Sequence, residues 1–286
     1  MEWINNKTVM IVGLGLIGGS YAMALNRIGY HVTAIDVSEE TIAYAKEKKM
    51  IDDGAAFPDP KLIGEADCIV IALYPSKIID WIKENQKYFK PGVILTDVTG
   101  IKSSVVYDLQ DILRDDAEFI AAHPMAGREV YGVKNSDERI FRDANFIIVP
   151  TKNNSAESIK WCEDLGRLLG FGRVSVLSPE EHDNMIAFVS QLTHCIAVSL
   201  MTCDDNEHLA EYTGDSFRDL TRIANINENM WPELFFMNKE PLLRRLDQFI
   251  DEINVIKGMI KDSDEEGLKE KMRLSTKRRK IFDKDS

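Results

Sequence analysis

The run Val12-Gly13-Leu14-Gly15-Leu16-Ile17-Gly18 constrains the fold of this chain more than any other stretch. It follows an apolar segment at residues 7–12 and opens an amphipathic one at 17–28. Glycines spaced GxGxxG between a strand and a helix have separate duties. Gly13 permits the tight turn, Gly15 lets the backbone approach a pyrophosphate, and Gly18 lets the helix pack against the sheet. The helix start at Leu16 and Ile17 offers unpaired N–H groups and a positive dipole end to phosphate. The spacing alone is a weak signal, but the flanking strand and helix are the context it requires. The bland alternative is a glycine-rich turn in a sheet that binds nothing. Asp36 ends the second apolar run, 18 residues after Gly18. A carboxylate there accepts bonds from ribose hydroxyls and repels a 2′-phosphate, and neither Val37 nor Ser38 supplies a compensating cation. The expected cofactor is therefore NAD rather than NADP.

Short runs rich in Val and Ile at 30–35, 68–73, 93–96 and 119–122 alternate with helical stretches such as 39–48 and 78–89, the latter closed by Pro91-Gly92. Such alternation gives a parallel sheet wrapped by helices on both faces. Runs at 146–149 and 174–177, flanking a helix at 156–169, are expected to extend it. The texture changes at Ser178-Pro179-Glu180-Glu181, where a serine N-cap, a proline at N1 and acids in the first turn announce a helix that runs to about Met201. No strand is evident beyond it. The expected architecture is α/β: a Rossmann-type, doubly wound, mostly parallel sheet over residues 1–178, then an all-helical domain over 179–286.

A net charge of −12 argues against nucleic acid as a partner. Met1-Glu2-Trp3-Ile4-Asn5-Asn6-Lys7 lacks the basic start and apolar run of a signal peptide, and no uncharged apolar stretch is expected to approach membrane-spanning length. Cys68, Cys162, Cys195 and Cys203 show no CxxC pair and no metal-ligand spacing. They read as buried free thiols in a reducing cytoplasm, and no metal site is expected. Lys277-Arg278-Arg279-Lys280, preceded by acids at 264–266 and 270, reads as a solvated helix end whose charges match the dipole.

The chemistry centres on His123, in Ala122-His123-Pro124-Met125-Ala126-Gly127, at the end of what reads as a late strand of the same sheet. Strand ends are where open α/β sheets bind ligands, and imidazole suits proton transfer near neutral pH. Pro124 and Gly127 fix the turn that follows. Tyr74-Pro75 ends another strand at the cofactor cleft; Tyr74 either packs against the nicotinamide end or closes the helix-start turn. Asp97-Val98-Thr99-Gly100-Ile101-Lys102-Ser103-Ser104 brings hydroxyls and one ammonium near the same cleft, or uses them as helix caps. In the helical half lie Ser190-Gln191-Leu192-Thr193-His194 and Phe217–Ala224, followed by Met230-Trp231. Asp219, three residues before Arg222, shares its helix face and could orient the guanidinium for carboxylate binding, or form a plain surface pair.

These segments, in this order and at these spacings, resemble the prephenate dehydrogenase family, which also includes arogenate and cyclohexadienyl dehydrogenases of tyrosine biosynthesis. The resemblance covers nearly the whole chain, and the HPMAG and FRDLTRIA runs are its specific part. It implies that His123 assists removal of a ring hydroxyl proton as hydride leaves for NAD. It implies that Arg222 binds a substrate carboxylate, that His194 and Ser190 line the same pocket, and that Glu129 sits at its mouth. It also implies a homodimer built by the helical half. The family often has serine where Gly100 stands, supporting the histidine; Thr99 or Ser103, or a water, is the expected replacement. The regulatory ACT domain of many relatives is not expected within this length. The function implied is oxidative decarboxylation of prephenate to 4-hydroxyphenylpyruvate. The rivals are arogenate dehydrogenase, another two-domain NAD-dependent dehydrogenase, and a non-catalytic NAD-binding protein.

Overall fold

The computed structural model describes Trp3 and residues 7–282; the reading of the first seven residues as no leader falls largely outside them. Strands β1 (Thr8–Val12), β2 (His31–Ile35), β3 (Asp53–Ala55), β4 (Cys68–Ile71), β5 (Ile94–Asp97) and β6 (Glu118–Phe119) form an all-parallel sheet in the order β3-β2-β1-β4-β5-β6. Helices α1 (Leu16–Arg27), α2 (Glu39–Glu47), α3 (Pro60–Glu65), α4 (Pro75–Asn85) and α5 (Ser103–Ile112) make the crossovers. The central strands are continuous apolar runs because both faces are covered. Val9 and Ile11 of β1 point into a core with Tyr21, Leu25 and Trp161. Met10 and Val12 point into the opposite core, with Ile63, Ile78 and Leu95. Strand order reverses between β1 and β4, which opens a crevice at their carboxyl ends.

The parallel sheet ends sooner than the sequence predicts. The chain leaves β6 at Phe119, Ile120 donates its N–H to the Leu95 carbonyl (2.9 Å), and β7 (Ala121–Met125) enters a second sheet. That sheet has the order β7-β8-β9, with β8 (Asn145–Val149) antiparallel to β7 and β9 (Arg173–Val176) parallel to β8 across α6 (Ala156–Leu168). The runs expected to extend one sheet thus build two, and His123 belongs to the smaller. The cause lies in the segment between β7 and β8. It holds only short 3₁₀ turns and no helix of the kind that usually carries a parallel return.

Beyond β9 every described element is helical. Ser178 and Glu181 form a reciprocal capping box at the start of α7 (Pro179–Ile186). A π turn at Ala187–Gln191 joins it to α8 (Leu192–Thr202). This continuous helix corrects the reading of the apolar stretches. It spans 24 residues, and an 18-residue window within it reaches a mean hydropathy of 1.6, long and apolar enough to cross a membrane by length and composition alone. Ser, Gln, Thr and His interrupt the run and disguise it, but none of them is charged at neutral pH. Helices α9 (Leu209–Tyr212), α10 (Asp215–Thr221) and α11 (Trp231–Met237) follow. The last strand ends at Val176, whereas compactness divides the chain into residues 1–238 and 239–286. The second unit is a helical hairpin of α12 (Lys239–Lys261) and α13 (Glu265–Arg279), with an ion pair between Lys271 and Glu252 (2.7 Å). The basic tail occupies the exposed last turn of α13. Of the four thiols expected to be buried, Cys68 and Cys162 are; Cys195 is half-buried and Cys203, past the packed part of α8, is exposed.

Candidate active site

The glycine turn is built as its spacing requires. Gly13 adopts φ +91° and its N–H donates to the Ile35 carbonyl (2.8 Å), tying the ends of β1 and β2 together. A side chain at Gly18 would strike the Gly13 carbonyl oxygen, whereas one at Gly15 would meet nothing within 4 Å. That open face, above a helix start with no side-chain cap at Leu16 and Ile17, is a cradle that fits a pyrophosphate. Asp36 accepts the Leu14 N–H at 2.8 Å and the Ser38 N–H at 2.9 Å. A carboxylate has about four lone-pair sites, so it retains acceptor capacity for ribose hydroxyls. Val37 beside it is almost fully exposed. Tyr74 is the N-cap of α4 and Pro75 its first residue. The Tyr74 hydroxyl accepts from Asn227 (3.4 Å), and Glu233 accepts the Ser76 N–H (2.6 Å), so α4 and α11 meet at this edge.

A buried polar cluster lies behind His123. Lys102, with its side chain 1% exposed, donates to Asp97 Oδ2 (2.6 Å), to the Ala122 carbonyl (2.6 Å) and to Thr99 Oγ1 (3.2 Å). Asp97 also accepts the Ala122 N–H (3.1 Å), so both backbone groups of the residue before His123 are held. His123 Nδ1 is 2.9 Å from His182 Nε2, and His182 Nδ1 is 2.8 Å from Asp183 Oδ1. Asp183 in turn accepts the N–H groups of Lys102 (2.9 Å) and Ser103 (2.8 Å) at the start of α5. Burial, then the adjacent His182, then the Lys102 ammonium push His123 well below the ordinary histidine pKa. His182 is lowered chiefly by burial, against the pull of Asp183.

Thr99 and Ser103, expected to support His123 directly, do not reach it. Thr99 Oγ1 lies within reach of two acceptors, the Asp97 carboxylate and the Ile101 carbonyl, and its one hydrogen serves one of them, while Ser103 serves Asp183. Each caps a nearby acceptor, which costs a short side chain less than spanning the cleft. Gly100 does lie at the histidine: a Cβ there would be 3.8 Å from His123 Cε1 and Nε2. His182 and Asp183 were not singled out in the sequence. Their signal is positional, since residues 179, 182, 183 and 186 form the buried face of α7. A histidine and an aspartate on a buried face require partners.

The helical side of the site comes from α8, α10 and α11. His194 stacks on Trp231 with ring centroids 3.7 Å apart, and its Nδ1 donates to the Ser190 carbonyl (2.9 Å). Ser190 thus acts through its backbone. Burial lowers the His194 pKa; Glu129 acts against this and Arg222 with it, so all three side chains share one field. Arg222 forms its ion pair with Glu129, 93 residues away, rather than with Asp219 as the helical spacing predicts. Its 3₁₀ turn (Arg222–Ala224) interrupts the helical register that would have aligned the two. Leu234, Ile101 and Ile186 with Met125, Met230 and Trp231 form a small apolar cluster that floors the site near Gly100.

A dinucleotide cradle at the strand-order reversal, with a titratable histidine in the adjoining sheet, defines the chain as an oxidoreductase of the nucleotide-binding α/β class. Residues 21–177 match the prephenate dehydrogenase nucleotide-binding domain, and residues 178–274 match the prephenate dehydrogenase dimerization domain. The chain belongs to the prephenate dehydrogenase family. It is 32% identical to the prephenate dehydrogenase of Bacillus subtilis over 272 residues, covering 91% of this chain and 72% of that one. It is 28% identical to the cyclohexadienyl dehydrogenase of Zymomonas mobilis, covering 96% and 95%. A crystal structure of prephenate dehydrogenase from A. aeolicus, in complex with hydroxyphenyl propionate and NAD+, superposes with a TM-score of 0.89 at 28% identity, covering 99% and 100%.

Proposed function

We propose that the chain catalyses NAD-dependent oxidative decarboxylation of prephenate to 4-hydroxyphenylpyruvate. The observation that carries this reading is His123, neutral, tied through Nδ1 to His182, with its other ring nitrogen beside the side-chain-free Gly100. That nitrogen accepts the proton of the substrate's C4 hydroxyl. When bound, NAD supplies the acceptor for the C4 hydride. Gly13, Gly15, Gly18 and the N–H groups of Leu16 and Ile17 hold its pyrophosphate, Leu14 and Asp36 border the ribose, and Tyr74 and Pro75 border the cleft. Arg222 binds a substrate carboxylate, exchanging its Glu129 partner for the substrate, and His194 lines the pocket from its Ser190 anchor. Loss of carbon dioxide then aromatises the ring, which makes the step effectively irreversible.

Residues 179–286 would form the homodimer, a reading supported by the dimerization-domain match and by exposed apolar side chains on the 179–202 helix: Met185, Phe188, Val189 and Met201. A second copy is a sufficient reason for that helix to be apolar. Four free thiols fit the cytoplasm as the compartment. The test is absorbance of NADH with purified protein, NAD, and prephenate or arogenate in parallel. Turnover of prephenate, reduced about 10²–10⁴-fold in His123→Asn, is the expected result. Turnover of arogenate alone would move the substrate assignment, and silence with both despite NAD binding would make the chain a binding protein.

A further inference from the structure

We propose that His182 and Asp183 form a proton relay behind His123: as His123 takes the substrate's hydroxyl proton on Nε2, the proton on its Nδ1 passes to His182, beside the Asp183 carboxylate. The inference rests on His123 being the base of the proposed reaction. His182 and Asp183 touch neither substrate nor cofactor, so they are positioning residues.

The order of donors follows from Asp183. Burial pushes its pKa up, but the bonds from His182 and Ser103 outweigh this and keep it ionised. An ionised carboxylate only accepts, so His182 Nδ1, at 2.8 Å, carries a hydrogen. A neutral His182 then presents a lone pair at Nε2, and His123 Nδ1, 2.9 Å away, must be the donor. His123 Nε2 is left unprotonated on the Gly100 side, the tautomer a base needs. The relay is held rigidly. Both Asp183 oxygens accept backbone N–H groups of Lys102 and Ser103, and Asn238 donates to the Asp183 carbonyl at 2.9 Å. The charged and titratable groups around His182 are His123, Asp183, Lys102 and Asp97.

The step balances. The substrate O–H bond breaks and an Nε2–H bond forms on His123, while the His123 Nδ1–H bond breaks and an Nε2–H bond forms on His182. The O–H electron pair becomes the second bond of the new carbonyl as the carbinol carbon is oxidised, its hydride reducing the bound dinucleotide. His123 ends neutral, and the cation rests on His182 against a carboxylate. Lys102 opposes a cation on either ring, and the Asp183 carboxylate at 2.8 Å favours it on His182.

The first test is the protonation state of the five histidines, read by ¹⁵N NMR on the full-length protein without ligands. Wild type is expected to show His123 protonated at Nδ1 and bare at Nε2; a proton at Nε2 overturns the proposal. The second is kinetic, on His182→Gln and Asp183→Asn. Turnover is expected to fall about 10- to 100-fold, with KM for prephenate and NAD within about threefold. The acid limb of the kcat profile should move to lower pH in Asp183→Asn, because the carboxylate that favours the cation is gone. A merely structural role would lower the plateau without moving the limb. Full turnover and an unmoved limb in His182→Gln overturn the relay. Asp183→Asn sets an amide against two backbone donors, so should it fail to fold, His182→Gln and the wild-type spectrum decide. His123→Asn separates the two claims: if it turns over normally the base assignment falls, and if it is inactive while His182→Gln is normal, the relay alone falls.

Discussion

Replacing Lys102 by Met should destabilise the protein by about 3–5 kcal/mol, the cost of breaking a buried ion pair from one side. The ammonium lies 2.6 Å from Asp97 Oδ2, and both side chains are 1% exposed. At an effective dielectric constant of roughly 20 their attraction is about 6 kcal/mol. Desolvation of two ions, several kcal/mol each, offsets most of it, so the intact pair contributes little net stability. The variant keeps the desolvation of Asp97 and loses the attraction. It also strips the Ala122 carbonyl of its Lys102 donor. Methionine nearly matches the lysine stem in volume, so no large cavity confuses the measurement. In urea, with an m-value of roughly 3 kcal/mol/M, the midpoint should fall by about 1–1.7 M. A second readout is independent of stability. Burial and His182 are the larger causes of the low His123 pKa, but the Lys102 cation adds to them. Its removal should move the acid limb of turnover to higher pH. A midpoint drop below about 0.3 M, which is under about 1 kcal/mol, would refute the claim that the fold depends on the Lys102–Asp97 pair.

Arg222→Ala should raise the prephenate KM by about 10- to 100-fold with kcat within threefold, since a charge-assisted pair is made in both ground and transition states; an unmoved KM would place the carboxylate site elsewhere. Stability should be full above about pH 6.5 and fall as pH drops below it. His123 and His182 are both held below 6.5 in the fold, so the unfolded chain binds more protons there, at up to about 1.4 kcal/mol per pH unit for each ring. Urea midpoints taken from pH 8 to pH 5 would show it, and a flat profile would contradict it. Gly100→Ser should fold normally, because the nearest atoms to its Cβ lie 3.8 Å away, and should change kcat less than about threefold. A tenfold gain would mean that the added hydroxyl supplies support that His182 does not.

Much of the site was legible because local spacing encodes it. GxGxxG with Asp36 needs only a strand, a turn and a second strand, and these residues meet as expected. His123 stood out because its segment ends a strand, whereas Ser190 and His194 came only from the family resemblance. The partners were harder to see. Arg222 has a carboxylate three residues away in sequence but pairs with one 93 residues away. His182 and Asp183 looked like ordinary residues of a capped helix until the face of α7 they occupy was known to be buried.

Sequence by itself determined the parallel nucleotide-binding sheet, NAD as the cofactor and the change to helix at Ser178, and it singled out His123 as the candidate base. All of these follow from short-range rules of turn geometry, periodicity and capping. Only the tertiary structure decided that His123 sits in a separate three-stranded sheet, that Lys102 and Asp97 grip the residue before it, and that His182 replaces a hydroxyl as its support. The reason is physical. Pairing of buried polar groups is settled by which faces pack together, and that depends on contacts between residues dozens of positions apart, for which no local pattern exists.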